Sequence, residues 1–248
     1  MLNPCLHAWA SSPERLAIAA AVTLGFAVLA RALRGVNRSG ALAGGLACFL
    51  LFAGTGPTAF AALAALFVVT WAATRLGYRR KLALGLAERR EGRNGWQVLA
   101  NLAVAALGSV VFSATGNRVW VVAALAALAE AATDTVASEI GQARGPDARL
   151  ITTGERVPAG TDGGITIPGS MAGLAAGLMI AAGATVGGMI PPTQLWIPVA
   201  AGLAGMLIDS LLGATLQRRG WISNQMVNFF GTLAAAALAY GISTFAKI

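Results

Sequence analysis

Long apolar segments recur along the whole chain, and they limit the possible folds more than any other feature of the sequence. A helix needs about 20 mostly apolar residues to cross a bilayer, within a range of roughly 17–25. Such segments lie near residues 16–33, 40–54, 58–74, 96–114, 119–140, 165–189, 194–216 and 226–245. Only 11% of the residues are charged, against roughly 25% in soluble domains. The sequence therefore predicts an all-α polytopic transmembrane bundle of about eight helices (six to nine, because two segments are short), forming one domain over residues 1–248.

The positive charges are distributed unevenly between the loops. Of the 18 Lys and Arg residues, all but Arg15, Arg118 and Lys247 fall on one side of an eight-helix bundle. Cytoplasmic loops of membrane proteins are enriched in Lys and Arg. The distribution predicts a multi-pass protein, in the cytoplasmic membrane if the source is bacterial, with both termini outside and the basic side in the cytosol. Because this orientation accounts for the net charge of +8, and no basic stripe is interleaved with aromatic residues, no nucleic-acid partner is expected.

Scarce cysteine and histidine exclude several common kinds of site. Cys5 and Cys48 lie far apart, and His7 is the only histidine. A histidine-based metal site or a serine–histidine catalytic pair is therefore not expected. The sequence also has neither a Walker loop nor a Rossmann fingerprint.

Acidic residues fall inside the predicted spans, where each carboxylate costs at least ~2.5–3.5 kcal/mol on insertion scales. At 1.5 Å per residue, Asp134 lies ~22 Å along its helix from Val119, and Asp209 lies equally deep in its own helix. A hydroxyl residue follows each aspartate, Thr135 in one case and Ser210 in the other. Further matching residues follow both aspartates, which leaves chance and an internal duplication as open explanations. The four acidic residues within spans are Glu130, Asp134, Glu139 and Asp209.

Carboxylates beside hydroxyls at one depth indicate a magnesium site. Mg²⁺ takes oxygen ligands, often one or two carboxylates together with substrate phosphates. The predicted metal-binding residues are Asp134, Thr135, Asp209 and Ser210, and the predicted catalytic residues are Asp134, Glu139 and Asp209. The role of Glu139 as base, ligand or structural residue stays open.

Polar and basic residues gather near the same helix ends and predict a phosphate site. Glycines at the end of the 152–164 loop allow backbone N–H groups to point at one anion, and a helix begins directly after it. We expect three of the basic residues to line the mouth of the cavity (Arg75, Lys81 and Arg93), and Arg79, Arg80, Arg89 and Arg90 to face solvent or headgroups. The predicted nucleotide- and phosphate-binding residues are Arg75, Lys81, Arg93, Asn94, Gln97, Asn101, Ser138, Gly160, Thr161, Gly163, Gly164, Gln217, Asn224 and Asn228.

Four segments resemble one family, in its motif order, within a similarity that runs from about Arg38 to Asn228. They read RNGWQVLAN (93–101), DTVASEIG (134–141), GTDGG (160–164) and DSLLGATLQ (209–217). The family includes transmembrane protein 19 and plant phytyl-phosphate kinase. The resemblance implies a Mg²⁺-dependent kinase that converts an isoprenyl monophosphate of the phytyl or geranylgeranyl type to the diphosphate, with a nucleoside triphosphate as donor. A more distant similarity to CTP-using polyprenol kinases and CDP-diacylglycerol synthases makes CTP the expected donor. The expected partners are thus the nucleotide, the isoprenyl phosphate and membrane lipids.

Other functions fit the same residues. A transporter or flippase of a phosphorylated lipid would also need basic and polar groups in the membrane, but the outer halves of the helices are nearly featureless, which favours an enzyme. A prenol kinase or a lipid cytidylyltransferase is the other alternative. An alcohol acceptor normally needs a positioned base, whereas an anionic phosphate oxygen does not. The scarcity of candidate bases therefore favours a monophosphate acceptor.

Overall fold

Nine α-helices form in residues 12–144 and 148–246, which are the parts of the chain that the structure, a computed structural model, describes. Eight helical segments are long and apolar enough to cross a membrane, which confirms the predicted bundle. The short helix α4 is not among them. The helices are α1 (Arg15–Ala32), α2 (Arg38–Thr55), α3 (Pro57–Arg75), α4 (Tyr78–Ala83), α5 (Gly95–Thr115), α6 (Val119–Arg144), α7 (Ile167–Val186), α8 (Trp196–Leu212) and α9 (Asn224–Phe245).

Helix α8 is extended at both ends by other helical turns. A 3₁₀ turn (Pro192–Gln194) precedes it, and a π-helical turn (Gly213–Gln217) follows it. Wider π turns within or beside α-helices occur frequently at functional sites. This one directly follows the segment that carries Asp209.

Helix α6 is the centre of the bundle and packs against α3, α5, α7, α8 and α9. Small residues on α7 allow the closest of these contacts. A side chain at Gly169 or Gly173 would collide with the carbonyl oxygens of Ala137 and Thr133 on α6, and one at Gly177 with the Thr133 hydroxyl. These three glycines therefore form a helix-packing surface, as small residues commonly do between membrane helices.

Apolar side chains cover much of the outer surface of the bundle. Such an apolar outer surface suits lipid rather than water, because a soluble monomer rarely exposes large contiguous apolar patches. The protein is an integral, multi-pass membrane protein. Large exposed apolar residues include Leu24, Val28, Leu42, Leu46, Val186 and Phe245.

The connection between α6 and α7, which the sequence predicts to be a loop, folds into a small antiparallel sheet. The strands are β1 (Ala148–Leu150), β2 (Arg156–Val157) and β3 (Gly164–Ile165), in the order β2-β1-β3. Arg149 of the central strand pairs with Arg156 on one side and Ile165 on the other. The sheet brings the end of the loop back to the start of α7.

Connections after α1, α3, α6 and α8 meet at one end of the bundle, which we call the basic end. It comprises residues 31–38, 75–95, 142–144, 148–166 and 217–224. Side-chain caps define several helix starts there: Asn37 caps α2, Thr166 caps α7 and Ser223 caps α9. Each cap accepts a hydrogen bond from a backbone N–H of the first turn. That the basic end faces the cytosol, and both termini the outside, stays a prediction.

Candidate active site

A polar cavity of about 300 Å³ opens among α5, α6, α8 and α9 at the basic end. The β1–β3 connection contributes part of its wall. The structure brings together there all of the predicted site residues except Arg75, Lys81 and Asn94. The predicted residues that line this polar cavity are Arg93, Gln97, Asn101, Asp134, Thr135, Ser138, Glu139, Gly160, Thr161, Gly163, Gly164, Asp209, Ser210, Gln217, Asn224 and Asn228.

Two aspartates from different helices face each other in the polar cavity. Asp134 of α6 and Asp209 of α8 both line this cavity and are close enough to interact through their charges. Oxygen Oδ2 of Asp209 is buried and has no hydrogen-bond partner among the described residues. Buried polar atoms are normally paired, so an unpartnered carboxylate oxygen here is where a cation or a bound donor would fit. That Asp134 and Asp209 line one cavity agrees with the equal depth along their helices that the sequence predicts.

Glu130 lies one helical turn deeper on α6 than Asp134, on the same side of the helix. Its Cγ lies against Gly205 of α8 and its Oε1 against Gly231 of α9, and its charge interacts with those of both aspartates. It is 1% exposed, and its Oε1 has no hydrogen-bond partner within the described chain. In the sequence, Glu130 stands out only as an acidic residue within a predicted span. Its place beside Asp134 follows from the four-residue spacing, which was the available signal.

The glycine-rich end of the β2–β3 connection packs tightly onto the π-helical turn. Gly160 and Gly163 have φ values of 84° and 75°, a region that favours glycine. A side chain at Gly163 would also collide with Ala214 of the turn. Part of the predicted anion-binding surface is used internally, however, since the N–H groups of Thr161 and Gly164 bond to the carbonyls of Pro158 and Thr161. Those two N–H groups are therefore not available to a phosphate.

Asp162 is a lining residue of the polar cavity that the predicted site did not include. Its charge interacts with that of Asp209. Burial raises the pKa of Asp162 above its usual range, and the nearby Arg218 opposes that rise. The sequence signal that could have identified Asp162 was its position in the motif GTDGG, between Thr161 and Gly163, which were both predicted to bind phosphate.

Glu139 and Lys81 form a buried ion pair, which corrects two expectations. Lys81 of α4 is fully buried, and its Nζ bonds to Glu139 Oε2 and to the carbonyls of Ala73 and Thr74. It therefore does not line the mouth of the polar cavity. The other carboxylate oxygen of Glu139 accepts a hydrogen bond of 3.0 Å from the Thr74 hydroxyl. With both oxygens engaged, Glu139 is not a free base, and the pair instead joins α3, α4 and α6.

Asn94 has a structural position rather than a cavity-lining one. Its side chain accepts a hydrogen bond of 3.1 Å from Gln97 N, while Gln97 Oε1 accepts one of 2.8 Å from Asn94 N. This reciprocal capping box fixes the start of α5. The side-chain nitrogen Nε2 of Gln97 donates a hydrogen bond of 3.1 Å to Glu88 Oε2 at the edge of the polar cavity.

A second, largely apolar cavity of about 400 Å³ lies among α1, α2, α3 and α5. It shares Glu88, Arg93, Gln97 and Asn101 with the polar cavity. Five arginines lie at its rim at the basic end. They are Arg34, Arg75, Arg89, Arg90 and Arg93.

One of these rim arginines, Arg75, departs from its predicted place. Arg75 lines the apolar cavity instead of the polar one; it donates a hydrogen bond of 2.6 Å to the Leu33 carbonyl and stacks on Trp71, with its Cζ 4.3 Å from the ring centroid. Arg89 and Arg90 are exposed, as expected, but they also line the rim. Arg75 ends α3, and Arg89 and Arg90 lie in an irregular connection, so the placement of their side chains depends on tertiary contacts that periodicity does not report.

Arg93 is held at the junction of the two cavities by its backbone. Its N–H donates to the Gly35 carbonyl at 3.1 Å, and its carbonyl accepts from Asn37 N at 3.0 Å. Gly40 of α2 makes room for this segment, because a side chain there would collide with the Arg93 carbonyl. The guanidinium is near enough to Asp134 for their charges to attract. Arg93 therefore stands between the carboxylates and the apolar cavity.

The donor set of the polar cavity fits a hard cation bound together with an anionic ligand. Within residues 12–144 and 148–246, no group of three or more His, Cys, Asp or Glu side chains forms a metal site on its own. Mg²⁺ commonly keeps several waters and takes only one or two carboxylates, with substrate phosphates completing its shell. The unpartnered Asp209 oxygen and the adjacent hydroxyls Thr135 and Ser210 suit that mode.

Comparison with known proteins places the chain among membrane proteins of bacteria, archaea and plants. It is 34% identical over 205 residues to an uncharacterized membrane protein of Synechocystis sp., covering 80% of this chain and 79% of that protein. It is 32% identical over 207 residues to Protein VTE6, chloroplastic, of Arabidopsis thaliana, covering 78% and 61% respectively.

An uncharacterized membrane protein of Methanocaldococcus jannaschii is 30% identical over 226 residues, which cover 90% of this chain and 92% of the archaeal protein. No solved structure matches the chain significantly. The model of the family described as integral membrane protein DUF92 matches residues 21–236. That match includes both cavities and all eight spanning helices, at least in part, and the chain belongs to the DUF92 family of integral membrane proteins.

Proposed function

We propose that this protein is a kinase that transfers a phosphoryl group from a nucleoside triphosphate to an isoprenyl monophosphate, producing the prenyl diphosphate. The observation that carries the proposal is the pair of adjoining cavities. One is polar, with two facing aspartates, and the other is apolar with an arginine rim, and they share Arg93, Gln97 and Asn101. The resemblance of the four motif segments to the family that includes plant phytyl-phosphate kinase supports the same reaction class.

The donor would bind in the polar cavity. Asp134 and Asp209, with Thr135 and Ser210, would hold Mg²⁺, which supplies charge neutralisation for the triphosphate when bound. The amides Asn224 and Asn228 line the same cavity and offer hydrogen bonds to nucleotide or phosphate oxygens. CTP is the proposed donor, on the resemblance to CTP-using lipid kinases and cytidylyltransferases.

The acceptor needs no general base. An anionic oxygen of the isoprenyl phosphate forms a bond to the γ-phosphorus, the bond from that phosphorus to the β–γ bridging oxygen breaks, and the nucleoside diphosphate leaves with the electron pair. Catalysis of such a transfer rests on positioning and charge stabilisation. Arg93, between the two cavities, would bind the acceptor phosphate and offset the repulsion between acceptor and donor. The engagement of both Glu139 oxygens fits a reaction without a base.

Transfer of radiolabelled γ-phosphate by the purified protein tests the proposal. Geranylgeranyl phosphate and geranylgeraniol would be compared as acceptors, each with CTP, ATP, GTP and UTP and with Mg²⁺ present. We expect labelled geranylgeranyl diphosphate and little product from the alcohol. Phosphorylation of the alcohol at least as efficiently would identify a prenol kinase, and a product containing the CMP moiety would identify a cytidylyltransferase. Either result would contradict the proposal.

A further inference from the structure

The apolar cavity has the shape and chemistry of a site for a single hydrocarbon chain that ends in an anion. Its volume of about 400 Å³ lies within the roughly 300–1,000 Å³ that is usual for ligand pockets. Along α3 it extends from Arg75 at the rim to Leu63, a depth of ~18 Å at 1.5 Å per residue. A cavity that extends this far along a helix suits a chain lying parallel to the helices rather than a compact ring system.

Aromatic and aliphatic side chains form the inner walls. Phe26 of α1 and Phe67 of α3 both line the cavity, and their ring centroids are 5.4 Å apart in an edge-to-face arrangement. Leu63 and Leu66 of α3 and Leu102 of α5 complete the apolar lining. These side chains give a bound hydrocarbon chain dispersion contacts and remove it from water. Being apolar, they need no hydrogen-bond partner from it.

The rim adds a charge requirement that ordinary neutral lipids do not meet. Five arginines and one acidic residue, Glu88, line this end of the cavity. Arg75 is engaged with Leu33 and Trp71. Of the five arginines, Arg93 is the one that also lines the polar cavity. A phosphate at Arg93 attached to a chain in the apolar cavity satisfies both halves of the site at once.

Two glycines of α2 limit how much room the chain has. A methyl group built on Gly44 would lie 3.6 Å from Val98 Cγ1, and one built on Gly45 would lie 3.6 Å from Ala27 Cβ, in ordinary van der Waals contact. Both glycines line the cavity. Alanine should therefore be tolerated at either position, whereas a longer side chain has to occupy space that belongs to the cavity.

We infer that the apolar cavity binds the isoprenyl chain of the acceptor, with the acceptor phosphate at Arg93, and that Gly44 and Gly45 set the longest chain that is accepted. This inference rests on the proposed function for the identity of the phosphate-bearing lipid. It assigns the binding site and the residues that determine chain-length specificity, which the proposed reaction alone does not.

Photo-crosslinking tests the assignment without relying on turnover. The full chain in nanodiscs would be irradiated with a geranylgeranyl phosphate analogue that carries a diazirine at the end of the chain, and the modified residues identified by mass spectrometry. We expect labelling near the deep end of the cavity, at Phe26, Gly45 or Leu63. Excess geranylgeranyl phosphate should compete, whereas orthophosphate and geranylgeraniol at equal concentration should compete poorly. Labelling confined to the lipid-facing surface of α7 or α9 would overturn the inference.

Variants of the two glycines provide the second arm. Gly44→Leu and Gly45→Leu should reduce crosslinking of the geranylgeranyl probe by roughly tenfold, about 1.4 kcal/mol of binding, while a geranyl probe is affected less. Gly183→Leu is the matched control, because Gly183 is exposed on α7 and has no atom within 4 Å of a built Cβ. Gly44→Ala and Gly45→Ala should reduce crosslinking less than the leucine variants do, again more for the geranylgeranyl probe than for the geranyl probe. They provide the test if a leucine variant fails to fold.

The outcomes separate the two proposals. Crosslinking in the cavity without phosphoryl transfer would remove the kinase function but retain the chain-binding site. Phosphoryl transfer with labelling elsewhere, or with leucine variants that retain wild-type chain selectivity, would remove the chain-binding site but retain the kinase.

Discussion

At the residue scale, the site is defined by carboxylates whose partners the sequence revealed only in part. The pairing of Asp134 with Asp209 could be predicted, because helix rise and span boundaries give the depth of a residue directly. The engagement of Glu139 by Lys81 could not, because Lys81 lies on a two-turn helix outside the spans. Asp162 was missed for a related reason, since a loop has no period that places its side chains.

Replacement of either aspartate should abolish function through loss of the cation. Asp209→Asn and Asp134→Asn keep the size of the side chain but remove the charge that a divalent ion requires, and we expect phosphoryl transfer to fall by roughly a hundredfold or more. Binding of Mn²⁺ as a Mg²⁺ substitute, followed by electron paramagnetic resonance, should weaken in parallel. Glu155→Gln, at an exposed position of the β1–β2 turn, is the charge-matched control. Unaltered Mn²⁺ binding in both aspartate variants would refute the metal assignment.

The Lys81–Glu139 pair should make a large contribution to stability. Removing one partner of a buried ion pair leaves an uncompensated charge and typically costs about 3–5 kcal/mol. Lys81→Met and Glu139→Gln should each lower the thermal unfolding temperature in detergent, and the Lys81→Met, Glu139→Gln double variant should lose less than the sum of the two. Arg79→Met, at an exposed position of the same short helix, serves as control. Additive losses would show that the two side chains do not act as a pair.

Asp162 should make stability depend on pH in a defined direction. Its pKa is raised by burial, with Arg218 opposing, so folding favours the neutral acid. The stability that this group contributes is complete below its unfolded pKa and is lost as pH rises through its folded pKa. Relative to wild type, Asp162→Asn should therefore become more stable as pH rises from about 4 to about 8. The effect is small because the side chain is partly exposed. Thermal unfolding of both proteins across this range measures it, and the opposite slope would contradict the burial of Asp162.

At the element scale, α6 is the scaffold on which the site is built, and glycines on its neighbours let it occupy the centre. All eight spans could be predicted because length and hydropathy suffice for a membrane helix. The β1–β3 sheet could not, because strands of two or three residues carry no readable alternation. The small sheet shapes the wall of the polar cavity, and it is therefore the part of the site that sequence periodicity described least well.

Close packing of α7 on α6 gives a prediction at this scale. Gly173→Val would drive a branched side chain into the Thr133 carbonyl, and overpacking of this kind typically costs about 1–3 kcal/mol. We expect a lower unfolding temperature and weaker activity, since Thr133 lies immediately before Asp134. Gly183→Val, on the lipid-facing side of the same helix, should leave both unchanged. Equal losses in the two variants would indicate a general intolerance of α7 to β-branched residues.

For the whole molecule, the charge distribution predicts the direction in which the bundle crosses the membrane. Single cysteines introduced by Glu155→Cys at the basic end and Asn117→Cys at the opposite end, in a Cys5→Ser background, can be probed with a membrane-impermeant maleimide. Both target positions are exposed, and Cys48 is buried. We expect only the Asn117→Cys protein to be labelled in intact cells and only the Glu155→Cys protein in inverted vesicles. The reverse pattern would place the active site outside the cytosol.

The junction that Arg93, Gln97 and Asn101 form between the two cavities has a kinetic consequence. Under the proposed function, one substrate is dissolved in the two-dimensional bilayer and the other in bulk water, and they meet only at this boundary. The reaction rate should then follow the mole fraction of isoprenyl phosphate among the surrounding lipids, not its amount per volume of buffer. Diluting the acceptor with inert phospholipid should slow turnover even when the total acceptor is unchanged, while diluting the buffer should affect only the nucleotide.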